Sequence, residues 1–556
     1  MEAIAKGSSV ENFPNIITCP SEMVALSMAD GYARVTGKPQ AVIVHVDVGT
    51  QALGCAVHNA HIARSPVLIF AGLCPATIEG EERGSRTEFV NFLQDIPDQS
   101  AVVRQYCRYV NEIRSSKNVK QMVARALQFS QSTPKGPVYL YAAREILERE
   151  VDPYHLNQIY WQPVKPSGLP QDAIEEIAAA LLASSEPLII TGYSGRDPRV
   201  PGALVNLADR VLGLRVLDTS LGDVCFPANH PAWLGGAYSH HASIPTADFI
   251  LVLDCDVPWV PTKGGPRKDA VIYHLDVDPL KASIAVHYID AVGRWRVDAY
   301  TSITQINAHV VATQRDSTSQ EQQGRAEVLA KCRQSSHAAL LDRIAASAAS
   351  TSKNDDLNAH IIASTLKRTC PTSSIWCVEA VTNTIPIFNQ LQCTSPGSYL
   401  SSGATGLGWA GGASLGIKMA SMISGENRFV TQIIGDGTYL FSHPSSVYWI
   451  SARYSIPILV VILKNKGWNA PRVSMELVHP SGVGSRVSNA TLAISHDNPN
   501  PDLAGIAKAA SGGSIFTGQS STVGELEDLL PKAIEAVLAG NTAVVECIIP
   551  GLEGKL

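Results

Sequence analysis

The chain is short of charge. Only 17% of its 556 residues are Asp, Glu, Lys or Arg, against about a quarter in an average soluble protein, so much of it belongs in interiors or subunit contacts. Positive charge is not in excess: 44 Lys and Arg stand against 50 Asp and Glu, for a net charge of −6. A binder of phosphate backbones carries a basic stripe, and none is present, which argues against a nucleic-acid partner. No CxxC pair occurs among the 11 cysteines. They are scattered through a long chain, unlike the framework of a short secreted one, and read as free thiols of a reducing cytoplasm. Long apolar runs are missing too. None approaches the ~18 residues of a membrane span, and the longest, 456–463, is interrupted by Pro457. Residues 1–13 lack the apolar core of a signal peptide. These absences leave a cytoplasmic, membrane-free protein of enzyme size.

What is present is a series of short apolar runs, at 41–46, 66–71, 137–141, 187–191, 249–253, 270–275, 429–434, 457–463 and 543–549. Their lack of polar alternation suits strands buried on both faces, as in parallel sheets. Helix-patterned stretches lie between many of them. Residues 21–35 carry Val24, Leu26, Met28, Tyr32 and Val35 and stop at Gly37, a C-terminal signal; 173–182 and 523–538 behave likewise. Alternation of this kind predicts α/β units. Two stretches read as linkers. One is 148–170, with Pro153, Pro163, Pro166 and Pro170. The other is 314–356, rich in Ser, Gln, Ala and charge, within which 326–349 could form a solvated helix. Cutting there gives three consecutive α/β domains with mainly parallel sheets, at 1–150, 165–315 and 357–550.

The stretch 428–469 carries the chemistry. A buried strand runs into Gly435-Asp436-Gly437, and 26 residues later a second ends at Lys464-Asn465. Neighbouring strands thus place an Asp and an Asn at their C-terminal ends, where open α/β sheets bind ligands. A carboxylate, an amide oxygen and a backbone carbonyl form the hard oxygen set that Mg²⁺ takes beside substrate phosphates. Gly-Asp-Gly alone often only makes a turn, but the whole arrangement resembles the motif of the thiamine-diphosphate-dependent family. That family includes benzoylformate and pyruvate decarboxylases, acetolactate synthase and 2-hydroxyacyl-CoA lyase. The resemblance implies thiamine diphosphate and Mg²⁺ as cofactors, with Asp436, Asn465 and the Gly467 carbonyl as metal ligands. The diphosphate would be held around Gly435, Gly437 and Thr438. Lys464 departs from the family, which usually has Asn there.

Upstream, 401–412 contains GxGxxG at Gly406, Gly408 and Gly411, which invites a dinucleotide reading. That fingerprint should follow a strand and meet an acidic residue about 20 positions on; Glu426 sits 15 past Gly411, and no clear strand precedes the segment. It resembles instead the family's cofactor cradle, in which Leu407 would wedge the bent cofactor and the Thr405 carbonyl would receive the pyrimidine amine, with Gly406 between them. Plain core is the other reading of Leu407. The first unit supplies an independent match. Glu22 opens a helix whose ADGYAR and TGKP segments are those of the family, which implies that Glu22 is the carboxylate set against the aminopyrimidine ring. Ser21 replaces the usual His before it. A surface Glu complementing a helix dipole is the bland alternative. His45, 23 residues on, sits where the branch resembling benzoylformate decarboxylase has a histidine, and a strand-end His can move protons near neutral pH.

Two features depart from the family. Its opening strand and helix around a Phe-Gly-x-Pro-Gly turn have no counterpart, since only 21 residues precede Glu22; a shortened record or a first sheet lacking an element would account for this. The second histidine that some decarboxylases place in the middle domain is also missing. The matching stretch, 254–261, holds Trp259 among Val and Pro, as an acyl-binding wall or as domain packing. His58, His61, His240, His241 and His443 lack the spacing of ligands. The expectation is a thiamine-diphosphate- and Mg²⁺-dependent C–C lyase or ligase. It would decarboxylate a 2-oxo acid and release an aldehyde or join the acyl carbon to a second carbonyl. Glu22 and His45 would be its catalytic pair, in a homodimer or homotetramer with the site shared between subunits. Acetolactate synthase-type or 2-hydroxyacyl-CoA lyase-type chemistry and an inactive homologue with an assembly role are the alternatives.

Overall fold

The computed structural model describes residues 2–11, 13–316 and 320–552. The expected three α/β units are there, each around its own sheet, and every strand pairing in the three sheets is parallel. The first sheet holds β1 (Gln40–Val44), β2 (Val67–Leu73), β3 (Tyr109–Glu112) and β4 (Val138–Ala143), in the order β1-β2-β4-β3. Among the described residues no strand precedes β1; the helices Glu2–Gly7 and Glu22–Thr36 do.

The middle sheet holds β5 (Pro187–Thr191), β6 (Arg215–Asp218), β7 (Trp233–Gly236), β8 (Phe249–Leu253), β9 (Val271–Asp276) and β10 (Gly293–Arg296). Its order, β10-β9-β8-β5-β6-β7, is that of a doubly wound dinucleotide fold, with the switch point between β5 and β8. The last sheet holds β11 (Ile375–Glu379), β12 (Tyr399–Ser401), β13 (Val430–Gly435), β14 (Leu459–Lys464), β15 (Phe516–Ser520) and β16 (Ala543–Ile548), in the order β12-β11-β13-β14-β16-β15. Its switch point falls between β11 and β13. The strands β5, β8, β11 and β14 are buried along their whole length, as their unbroken apolar runs require.

Two helices join the first unit to the last. Glu22–Thr36 ends on Gly37 in the left-handed conformation, as its pattern predicts. It packs on Trp409–Ile423 with backbones almost touching: a β-carbon at Gly416 would lie 1.9 Å from the Met28 carbonyl oxygen, and one at Gly31 would lie 2.3 Å from that of Ala413. The expected linker at 314–356 is mostly the helix Gln320–Ser347, and that helix is docked rather than free. Its Arg333 donates to the Ala208 carbonyl at 2.8 Å, and His337 donates to that of Ala228 at 3.0 Å. Ala208 lies in the last turn of Val200–Arg210, where carbonyls lack partners inside their own helix. Trp259 belongs to the core of the middle unit with Ile272 and Ile289, so the packing reading of 254–261 is the one the fold bears out. His443 occupies the N-cap position of the helix Pro444–Arg453.

Candidate functional site

The crevice of the last sheet opens at the C-terminal ends of β11 and β13, where chain direction splits. Asp436 follows β13 there and is buried. Its Oδ1 accepts from the Gly437 N–H at 2.8 Å and its Oδ2 from the Lys466 N–H at 2.7 Å, which ties the end of β13 to the end of β14. Burial pushes the Asp436 carboxyl above its ordinary value, while those two N–H groups and the charges of His496 and Lys464 pull it down. Asn465 adjoins it, its Oδ1 accepting from the Gly467 N–H at 3.0 Å. Gly467 in turn pairs with Ser495. Thr438 follows in the same short helix, buried. Lys464 points elsewhere: its ammonium is buried against Glu546 at 2.5 Å and donates to the Pro501 carbonyl at 2.6 Å. A lysine in place of the usual Asn is tolerated because a buried carboxylate is there to pair with it.

Beside this lies the segment 405–410. It does follow a strand, the three-residue β12, and leads into the helix Trp409–Ile423, so the expected absence of a strand is corrected. β12 is too short and polar to stand out in the sequence. The glycines nevertheless face protein, not a free crevice: β-carbons at Gly406, Gly408 and Gly411 would lie 2.8 Å from Cys55 O, 2.5 Å from Phe441 O and 2.8 Å from Ser442 Cβ. Asn59 grips Gly406 from the first unit, donating to its carbonyl at 2.7 Å and accepting its N–H at 3.1 Å. Glu379, ending β11, accepts from the N–H groups of Gly408 and Ala410. Asp30 accepts from the Trp409 indole at 2.7 Å. Leu407 is left half-buried and Thr405 exposed, so Leu407 is not plain core.

Glu22 and His45 meet in the first unit. Gly49 lies between them; a β-carbon there would be 2.9 Å from His45 Cβ and 3.3 Å from Glu22 Oε1. Asp47, in the turn after β1, holds φ 46° and ψ −81°, a strained conformation of the kind that collects at functional sites. Gln99 supports it, accepting from the Asp47 N–H at 2.7 Å and donating to the Gly72 carbonyl and the Tyr139 hydroxyl. Glu22 is half-buried and His45 exposed. Among the described residues no hydrogen bond or ion pair links this pair to Asp436 or Asn465. The structure therefore shows them as two separate groups.

Comparison with known proteins supplies a family for all three units. Residues 3–102 match the N-terminal TPP binding domain of thiamine pyrophosphate enzymes, 174–297 the central domain and 381–547 the C-terminal TPP binding domain. The chain belongs to the thiamine pyrophosphate enzyme family. Benzoylformate decarboxylase of Pseudomonas aeruginosa is 23% identical over 460 residues, covering 81% of this chain and 79% of that protein. The acetolactate synthase isozyme 3 large subunit of Escherichia coli is 24% identical over 554 residues, 96% of this chain and 87% of that one. In structure, a thiamine diphosphate-dependent 4-hydroxybenzoylformate decarboxylase of Rhodococcus jostii RHA1 superposes with a TM-score of 0.75 at 20% identity, over 99% and 95% of the two chains.

The residues of this thiamine pyrophosphate enzyme fit the cofactor's charged end. Among the described residues no group of three or more His, Cys, Asp and Glu could hold a metal ion. The donors at hand are instead the carboxylate, amide and carbonyl oxygens that suit a hard cation shared with phosphate. Next to them the Nε2 of His496 is buried without a partner among the described residues, and His496 stands edge-on to Trp468 at 4.5 Å. The sequence gives no direct sign of Asn59, Glu379 or His496. An acidic residue closing an apolar strand, as in IWCVE at 375–379, is the one available hint. The middle unit's switch point, by contrast, is filled by side chains: Arg64 stacks on Tyr193 at 4.1 Å and reaches Asp256 and Asp276 at 3.1 Å each. No helix among the described residues is long and apolar enough to cross a membrane.

Proposed function

We propose that this chain is a thiamine-diphosphate- and Mg²⁺-dependent enzyme that decarboxylates a 2-oxo acid, then releases an aldehyde or joins the acyl carbon to a second carbonyl. The observation that carries this is the meeting of Asp436, Asn465 and Gly467 at the ends of β13 and β14, beside the 405–407 cradle. When bound, thiamine diphosphate supplies the electron sink that a 2-oxo acid needs to lose CO₂. Asp436, Asn465 and the Gly467 carbonyl would hold the metal, and Gly435, Gly437 and Thr438 the diphosphate. The Thr405 carbonyl and Leu407 would orient the aminopyrimidine end, with Gly406 fixed by Asn59. Glu22 would hold a proton against the ring nitrogen, and His45 would deliver or remove protons at the substrate carbonyl oxygen.

A second copy of the chain would bring the two groups together. Ile43 and Val48 flank His45 and are 72% and 50% exposed; Phe441, the last residue of the helix Asp436–Phe441, is 51% exposed. Apolar rims of this kind mark interaction surfaces. A homodimer or homotetramer sharing the site would cover them. The full-length likeness to an acetolactate synthase supports ligation, while His45 supports a benzoylformate decarboxylase-like course. A panel of 2-oxo acids, with and without aldehyde acceptors, read for CO₂ and ligated product, separates the two. Glu22→Gln should keep cofactor affinity and lose about 10²–10⁴-fold in turnover; unchanged turnover removes Glu22 from its role.

A further inference from the structure

Glu379 is a buried carboxylate at the crevice to which the reaction assigns no part. It ends β11, opposite Ile434 of β13, and is 4% exposed. A carboxylate taken out of water needs charge or hydrogen bonds in return. Among the described residues no cation pairs with Glu379: Oε1 accepts from the Gly408 N–H at 3.0 Å and Oε2 from the Ala410 N–H at 2.7 Å. Ionisable groups around it are Cys377 on its own strand and, on Trp409, Asp30 and Arg34 of the Glu22–Thr36 helix. None bonds to it.

The N–H groups it takes are the unpaired donors of a helix start. A helix normally satisfies them with a Ser, Thr, Asp or Asn at its own N-cap. Here the N-cap residue is Gly408, in the left-handed conformation at φ 97° and without a side chain. The cap comes instead from across the switch point. On the other side Asn59 pairs with both backbone groups of Gly406. Residue 407 is thus held between two pinned glycines, one fixed from the first unit and one from β11, and its side chain is the one left to project.

We propose that Glu379 is a positioning residue for the cofactor, fixing the backbone at 408–410 so that Leu407 and the Thr405 carbonyl keep their aim into the crevice. This rests on the thiamine reading above. Replacing the carboxylate by an amide turns one acceptor into a donor facing an N–H, so one bond is lost and that N–H is left unpaired.

The test is calorimetric titration of the full chain with thiamine diphosphate and Mg²⁺, for the wild type, Glu379→Gln and Glu145→Gln. Glu145 is a buried carboxylate of the first unit, bonded to Thr77, and controls for stability alone. At pH 9, where Glu379 is ionised, Glu379→Gln should bind about tenfold more weakly, and Glu145→Gln as the wild type does. Burial pushes Glu379 up to about 8, so the ionised form that accepts both N–H groups grows between pH 6 and 9. Wild-type affinity should gain a step there that Glu379→Gln lacks. Wild-type affinity and pH profile in Glu379→Gln overturn the proposal, as does an equal loss in Glu145→Gln. Should Glu379→Gln fail to fold, Glu379→Asp, with the charge kept on a shorter side chain, carries the same expectation of weaker binding. Absence of saturable, metal-dependent binding in the wild type removes the thiamine reading itself.

Discussion

The first unit is joined to its two neighbours by opposite means. Against the last unit the contact is made by small residues: Gly31 on one side and Gly412 and Gly416 on the other let two helices approach until a β-carbon would strike backbone. The charges on that contact are paired: Asp30 accepts from the Trp409 indole, and Arg34 is spent on the Ser401 and Gly222 carbonyls and Asp223, touching all three units. Against the middle unit it presents charge. Arg64 enters a cluster of Asp256, Asp276, Tyr193 and Lys281, in which Lys281 reaches Asp256 at 2.8 Å and also pairs with Asp276. Burial alone would raise Asp276, but Arg64 and Lys281 together hold it well below the usual carboxylate range. Asp254 is pushed up to about 8 by burial, with repulsion from Asp276 adding to it and Arg64 and Lys281 offsetting only part of the rise. The packed joint lies beside the cofactor cradle and needs rigidity. The charged joint fills a crevice that this sheet order offers to a ligand, and it depends on pairing.

Four measurements break or sharpen that contrast. Arg64→Ala should cost most, about 3–5 kcal/mol in denaturant unfolding, because it strands buried carboxylates without their partner. Gly416→Ala should cost about 1–3 kcal/mol by overpacking and should weaken cofactor binding as well, since Trp409–Ile423 carries the cradle; a stability loss without that effect would uncouple joint from site. Asp254→Asn tests pH. A carboxyl raised from 3.8 to about 8 adds stability that is complete below its ordinary value and lost as pH rises through about 8. The wild type should therefore lose stability from pH 5 to 9 relative to the Asn variant, read from unfolding midpoints. Salt should matter least. Raising it from 0.1 to 1 M shortens the screening length from about 10 to 3 Å, but the Arg64 cluster is buried. The Arg64→Ala penalty should therefore change by less than the roughly 0.2–1 kcal/mol of an exposed pair.

The central strands were legible because burial on both faces leaves an unbroken apolar run; β5 and β8 fall on the runs at 187–191 and 249–253. One central strand, Ile375–Glu379, escaped because Glu379 cuts its apolar run to four residues; the others that escaped are short or at edges. Phe516–Ser520, FTGQS, pairs on one side only and needs no apolar face to reveal it. The linker expected at 314–356 looked solvated because its helix docks through Arg333 and His337, polar side chains that composition assigns to water. Asp436 and Asn465 could be found since two strand ends and a fixed spacing suffice to bring them together. Glu22 and His45 could be found because they sit on one helix and the next strand.

Sequence alone thus determined the buried, unbroken strands and which candidate residues lie close along the chain, because strand ends and helix starts fix local geometry. Only the tertiary structure decided how the cradle is held. Asn59 and Gly406 are 347 residues apart, and their pairing exists because two glycine-lined helices bring the first unit against the last. Glu379 reaches Gly408 because β11 lies next to β13 at the switch point. A hydrogen bond between distant residues leaves no period or spacing in a sequence, since its geometry is set by everything packed between them.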